Sequence, residues 1–271
     1  MPAGPFCRHA LPTQRDNISA QAWKEEFWPY YQRERELLFD AAAKTLDELF
    51  DDPSERAESL RTVAVELKAL GNDALGPLGE AHVSYLVEER WKDGERLLLV
   101  KAAWKSNPFE VTKGIDLIGV RLNDGQVHYL EVKARREVAD FIVQKTLADL
   151  KSDLSLERIE KRAGLSIGTA AYEYIQTALL KLLRHNPARY TADIEVKDPR
   201  NHGFSRLGAI VAGAGDWESK VSHACPCDAT TLHPCALLLL FVEEFEKQIV
   251  LLVAADRIAN RKLLRSSKKS P

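Results

Sequence analysis

Two apolar runs, Ile115 to Leu122 and Val127 to Ala134, flank a tight-turn signal at Asn123-Asp124-Gly125-Gln126, and their far ends carry Asp116, Glu131 and Lys133. Asp-Gly tolerates the positive φ of a type I′ turn, so the segment predicts a β-hairpin. If Asn123 and Gln126 close the turn, Leu122 pairs with Val127, Val120 with Tyr129, Ile118 with Glu131 and Asp116 with Lys133. All of these side chains project from one sheet face, with Asp116 diagonal to Glu131 at roughly 7 Å. Ile115, Leu117, Leu130, Val132 and Ala134 make the other face apolar too, so the strands read as buried on both sides. Charges buried there cost several kcal/mol per ion unless they are paired or bind a metal, which points to a use.

Two carboxylates at that separation are hard oxygen ligands suited to Mg²⁺, with Mn²⁺ able to substitute. The backbone carbonyl of Val132 lies between them as a third ligand, and the Lys133 ammonium can offset charge on a reacting phosphoryl group. The tripeptide pattern alone says little, because Glu66 with Lys68 and Glu195 with Lys197 repeat it. The first repeat lies in a helix pattern, where the two side chains diverge. The second reads as an exposed edge strand ended by Asp198-Pro199, with no hairpin partner to bring an acid opposite Lys197. The hairpin context singles out the pair at 131 and 133.

Asp116, Glu131-Val132-Lys133 on the following strand, and an acid on a preceding helix, Glu80 in Gly79-Glu80, together resemble the PD-(D/E)XK nuclease superfamily. Ile115 stands where the nominal motif has proline. The resemblance implies a restriction-endonuclease-like α/β fold, a mixed sheet flanked by helices, with Asp116 and Glu131 as metal ligands, Lys133 as the catalytic lysine and Glu80 as a supporting acid. A narrower likeness is to HamA, the nuclease component of Hachiman anti-phage systems. It rests on Gly79-Glu80, Asn107-Pro108, Lys113-Gly114-Ile115-Asp116 and Leu130-Glu131-Val132-Lys133, in element order over residues 76–255. That likeness implies a DNA substrate and a helicase partner.

The remaining chain reads as support. Residues 1–18 are polar with scattered prolines and read as irregular, followed by helices to about residue 70. Trp23, Phe27, Tyr30 and Tyr31 recur at helical spacing and predict a core-facing stripe. Asp52 before Pro53 predicts a capped helix start. A fresh helix is expected from Glu80, placing that residue in its first turn. A strand is expected at Leu97 to Val100, helices at Val138 to Leu150 and Thr169 to Arg184, and strands at Ala236 to Val242 and Ile249 to Ala254. The expected organisation is a helical N-terminal region (1–71), a nuclease-like α/β domain (72–256) with four or five strands, and a basic, solvated tail (257–271).

Across 271 residues the formal charge is −2, so no global field draws in nucleic acid and binding must rely on local patches. The longest apolar run is too short to span a bilayer and no signal peptide is visible, giving a cytoplasmic expectation with no membrane partner. Four cysteines in a chain of this size make no disulfide framework. His223, Cys225, Cys227, His233 and Cys235 cluster, but one residue between the first two thiols is fewer than zinc sites use, so structural zinc is not expected. The expectation is a Mg²⁺-dependent DNA endonuclease of anti-phage defence. Its alternative is an inactive nuclease-like DNA-binding or scaffold subunit in which Glu131 and Lys133 only pair.

Overall fold

The computed structural model describes residues 13–34, 52–70, 75–102, 115–137, 142, 145, 146, 149, 156–162, 168–185, 194–214 and 235–267. Six strands form one mixed sheet: β1 (Thr13–Ile18), β2 (Leu97–Ala102), β3 (Leu117–Arg121), β4 (Val127–Glu137), β5 (Ser205–Ala214) and β6 (Cys235–Val242), in the spatial order β1-β6-β5-β4-β3-β2. β4, β5, β6 and β1 run parallel, while β2, β3 and β4 form an antiparallel meander. β5 is buried almost throughout from Leu207 to Ala212, as a strand covered on both faces should be. Polar β1 takes the edge beside leucine-rich β6, where an unpaired strand flank can face water. Residues 13–18 are therefore a strand and not the irregular segment their polarity predicts.

Helices cover the sheet. α1 (Ala20–Ala22), a π-helical turn (Trp23–Phe27) and α2 (Trp28–Glu34) carry the aromatic stripe, and Trp23, Phe27, Tyr30 and Tyr31 are all buried as expected. α3 (Pro53–Leu70) starts where the sequence puts it, with the Asp52 carboxylate accepting from the Ser54 amide at 2.7 Å. α4 (Gly76–Tyr85) begins four residues earlier than expected because Pro77 fits the first turn, so Glu80 lies in the second. α5 (Leu156–Arg162), α6 (Thr169–His185), α7 (Pro199–His202) and α8 (Phe245–Ser267) follow.

Ile249 to Ala254 is part of α8, not a strand. Phe245, Ile249, Leu252, Val253 and Ile258 are among its buried positions, a helical spacing that a short apolar run conceals. The first part of the expected solvated tail is also ordered: α8 continues through Ser267, and Arg257 pairs with Glu66 of α3 at 2.5 Å. The His223, Cys225, Cys227 and His233 cluster and the Cys235 side chain lie outside the described residues, as do Asn107, Pro108, Lys113 and Gly114. Among the described residues no helix is long and apolar enough to cross a membrane.

Two apolar clusters follow from strand alternation. Leu130, Val132 and Ala134 face the larger one, shared with α4, α8 and the aromatic stripe; Val127 and Tyr129 face the smaller one, with Ile159, Ile175, Leu179 and Phe204. In the larger cluster His82 is fully buried, stacked on Phe27 at 4.1 Å. Its Nε2 accepts from the Trp23 indole at 3.0 Å and its Nδ1–H donates to the Leu78 carbonyl at 2.7 Å. Burial holds its pKa down near about 4, outweighing the Leu78 bond, so the ring is neutral.

Candidate functional site

The hairpin forms, but its register differs from the predicted one by two residues: Leu117 pairs with Leu130, Ile118 with Tyr129, Gly119 with His128 and Val120 with Val127. Arg121 and Gln126 close a four-residue loop, with Arg121 N–H donating to Gln126 O and Gly125 N–H to Arg121 O, each 2.9 Å. Asp124 causes the wider turn. The Arg121 guanidinium grips it through Nε at 2.9 Å and Nη2 at 2.7 Å, and its Oδ1 also accepts from the Gln126 amide at 3.1 Å. Those bonds hold the Asp124 carboxyl well below its ordinary range. A two-residue slip preserves the sheet face, so Glu131 and Lys133 still project with Tyr129. Asp116 lies at a bend just before β3, one residue beyond the last strand pair, Leu117 with Leu130.

Asp116 reaches across the end of β3: its Oδ2 accepts from the Val132 amide at 2.6 Å. Amide and carbonyl of one strand residue point to the same side of the strand, so the Val132 carbonyl also faces the Asp116 edge. Lys133 Nζ contacts Glu131 Oε1 directly and lies 3.3 Å from Asp149 Oδ2. Burial pulls the Lys133 pKa down, but Glu131 above all, then Asp116 and Asp149, outweigh it and hold the ammonium charged above its ordinary value.

Three of the four side chains predicted from sequence are thus gathered at the end of β3. Glu80 is placed differently. It is buried on α4, one residue past Gly79, where an added Cβ would lie 2.5 Å from the Ala134 Cβ. That contact puts α4 on the Val132 and Ala134 face of β4, whereas Glu131 and Lys133 project from the other. Asp149 is the residue that sequence reasoning missed. Its signal was helical phase: 142, 146 and 149 fall on one side of the expected helix, and Ile142 and Thr146 are fully buried there.

The chain matches no family model and no curated protein. The competing Glu195 and Lys197 pair is corrected in two respects. Residues 194–198 form no strand; they cross the hairpin turn, where Lys197 N–H donates to Gly125 O at 2.9 Å. An acid does lie opposite Lys197, since Asp124 Oδ2 is 3.4 Å from its Nζ. Both groups serve the turn, because Arg121 already holds Asp124.

The donor chemistry suits a hard divalent cation: two carboxylates and a strand carbonyl face the same edge. Among the described residues no group of three or more His, Cys, Asp or Glu side chains forms a ready metal cage. The carboxylates are engaged elsewhere, Asp116 by the Val132 amide and Glu131 by Lys133. A cation entering here would share these carboxylates with the Val132 amide and the Lys133 ammonium.

Proposed function

We propose that this chain is a metal-dependent DNA endonuclease of the PD-(D/E)XK kind, a cytoplasmic effector of prokaryotic anti-phage defence that works with a helicase partner. The observation that carries the reading is the gathering of Asp116, Glu131 and Lys133 where β3 ends and the Val132 backbone turns toward the open edge. Asp116, Glu131 and the Val132 carbonyl would hold Mg²⁺, which when bound lowers the pKa of water and stabilises charge on a phosphoryl group. Lys133 stays protonated and charged beside the scissile phosphate, offsetting the charge that builds on its oxygens as hydroxide adds to phosphorus and the P–O bond to the leaving strand breaks. A half-buried ammonium fixed by carboxylates needs little reorganisation to do this.

The direct Lys133–Glu131 contact favours a second reading, an inactive scaffold in which the two groups simply neutralise each other. Plasmid, linear duplex and single-stranded DNA incubated with Mg²⁺ or EDTA separate the two. The endonuclease reading expects Mg²⁺-dependent cleavage that falls at least a hundredfold in Glu131→Gln and in Lys133→Met, with unchanged circular dichroism. Cleavage equal to native in both variants, or none by the native chain alone or with a helicase, overturns it.

A further inference from the structure

β4 outruns its antiparallel neighbour. β3 pairs with it only from Val127 to Leu130, whereas β5 follows it as far as Glu137. Among the described residues, 133–137 therefore have strand pairing on one side only. The Val132 amide marks the other side, since it turns to Asp116 and away from β5. Backbone groups two residues further along a strand point the same way, so the Ala134 carbonyl faces that open edge too. It accepts from Arg135 Nη1 at 2.7 Å, which brings the guanidinium to the edge. Alternation puts the Arg135 side chain on the sheet face of Glu131 and Lys133, and Arg136 on the opposite face, where it pairs with Glu246 of α8. Lys133 lies against Glu131 and Arg136 against Glu246, but among the described residues Arg135 has no carboxylate partner. Its half-buried guanidinium spends one donor on the Ala134 carbonyl and keeps the rest of its fork for a ligand.

We propose that Arg135 is a second phosphate contact, binding a phosphodiester of the same DNA strand beside the one at Lys133. The proposal takes its ligand from the endonuclease reading, and it needs no metal. Residues two apart on a strand are separated by about 6.6 Å, and a DNA strand carries one charge for about every 3.4 Å of helix axis. A backbone that crosses Lys133 along the open edge thus brings another phosphate within reach of Arg135. A guanidinium fork suits that group, because two parallel N–H donors match two phosphate oxygens. Lys133, already held by carboxylates, acts on the reacting phosphate, whereas Arg135, with no carboxylate to leave, adds to binding and fixes the strand's course. With a formal charge of −2 over the whole chain, DNA binding must be built from local contacts of this kind.

The test is the salt dependence of DNA binding by the full chain in EDTA, read by fluorescence anisotropy of labelled duplex and single-stranded DNA. Arg135→Gln and Arg135→Met, two neutral side chains of similar length, should each weaken binding about tenfold at low salt. Each should also flatten the slope of log K against log salt by about 0.9 for duplex or about 0.7 for single strands, the loss of one phosphate contact. Arg135→Lys keeps the charge and should keep the slope. Arg136→Gln removes an equal charge from the opposite face and should leave the slope unchanged; a fall equal to that in Arg135→Gln would reduce the effect to net charge and overturn the proposal. In cleavage assays Arg135→Gln should raise KM for DNA with kcat nearly unchanged. Native protein that cuts DNA, with Arg135→Gln and Arg135→Met matching it in slope and KM, overturns this inference alone. Native protein that binds DNA with an Arg135-dependent slope but never cuts it supports the contact and overturns the endonuclease reading. Native protein that binds no DNA, alone or with a helicase, overturns both.

Discussion

Lowering the pH should unfold this protein through His82. Its pKa lies near about 4 in the fold against an ordinary 6.5, so the unfolded chain binds a proton that the folded chain does not between those values. Stability is therefore full above pH 6.5 and falls as pH drops toward 4, by about 3 kcal/mol for this one ring. Geometry gives the same sign: a protonated Nε2 would present its hydrogen to the Trp23 indole N–H, donor against donor, inside the largest apolar cluster. His128 is also buried, with a pKa near about 4 caused by burial and then by Arg121, and adds a second proton in the same window. Asp124 acts only below its ordinary 3.8 and leaves that window clear. Urea unfolding followed by tryptophan fluorescence from pH 7 to 4.5 should show stability falling by about 2.7 kcal/mol per pH unit from the two histidines in mid-window. His82→Phe lowers the whole curve, because the Trp23 N–H loses its acceptor, yet it should remove about half of the histidine slope. Parallel curves for native and His82→Phe would refute the assignment of a neutral, buried imidazole.

Gly125→Ala should be severely destabilising, by more than about 2 kcal/mol, since its φ is +72° and an added Cβ would lie 1.8 Å from the Glu195 carbonyl; urea midpoints measure it. Gly79→Ala should cost about 1–3 kcal/mol by pushing α4 off β4, and Ala134→Gly in the same chain should recover much of the loss. Gly76→Ala, with nothing within 4 Å, should instead raise the melting temperature slightly. Asp52→Ala removes the cap at the start of α3 and should cost about 1 kcal/mol in the same assay.

Some of the fold was legible because one local rule decided it. Asp52 before Pro53 announced a helix start, the aromatic spacing of Trp23, Phe27, Tyr30 and Tyr31 announced a buried face, and both are present. What failed depended on tertiary context. Thr13 to Ile18 has no strand pattern of its own, and becomes one because β6 offers it an edge. Ile249 to Ala254 is too short a run for its period to be read, and the buried surface around Phe245 and Ile258 makes it helical. Proximity to Asp149 depends on a connection whose length and path no motif encodes.

The hairpin shows why the candidate site was legible even where its geometry was misread. Turn chemistry alone favoured a two-residue loop at Asp124-Gly125, but Arg121 and Asp124 form a two-bonded ion pair that a wider loop accommodates, and the register moved by two. A slip of one would have turned Glu131 and Lys133 into the cluster occupied by Leu130, Val132 and Ala134, at the desolvation cost of two ions. The face was thus fixed by energy while the partner was left to the turn. Asp116 consequently meets the Val132 amide. Arg121→Ala tests this coupling, since it frees Asp124 from the turn: the hairpin should loosen, and Mn²⁺ affinity at Asp116 and Glu131 should fall although Arg121 touches neither residue. Unchanged affinity in Arg121→Ala would mean that the strand ends hold their register without the turn.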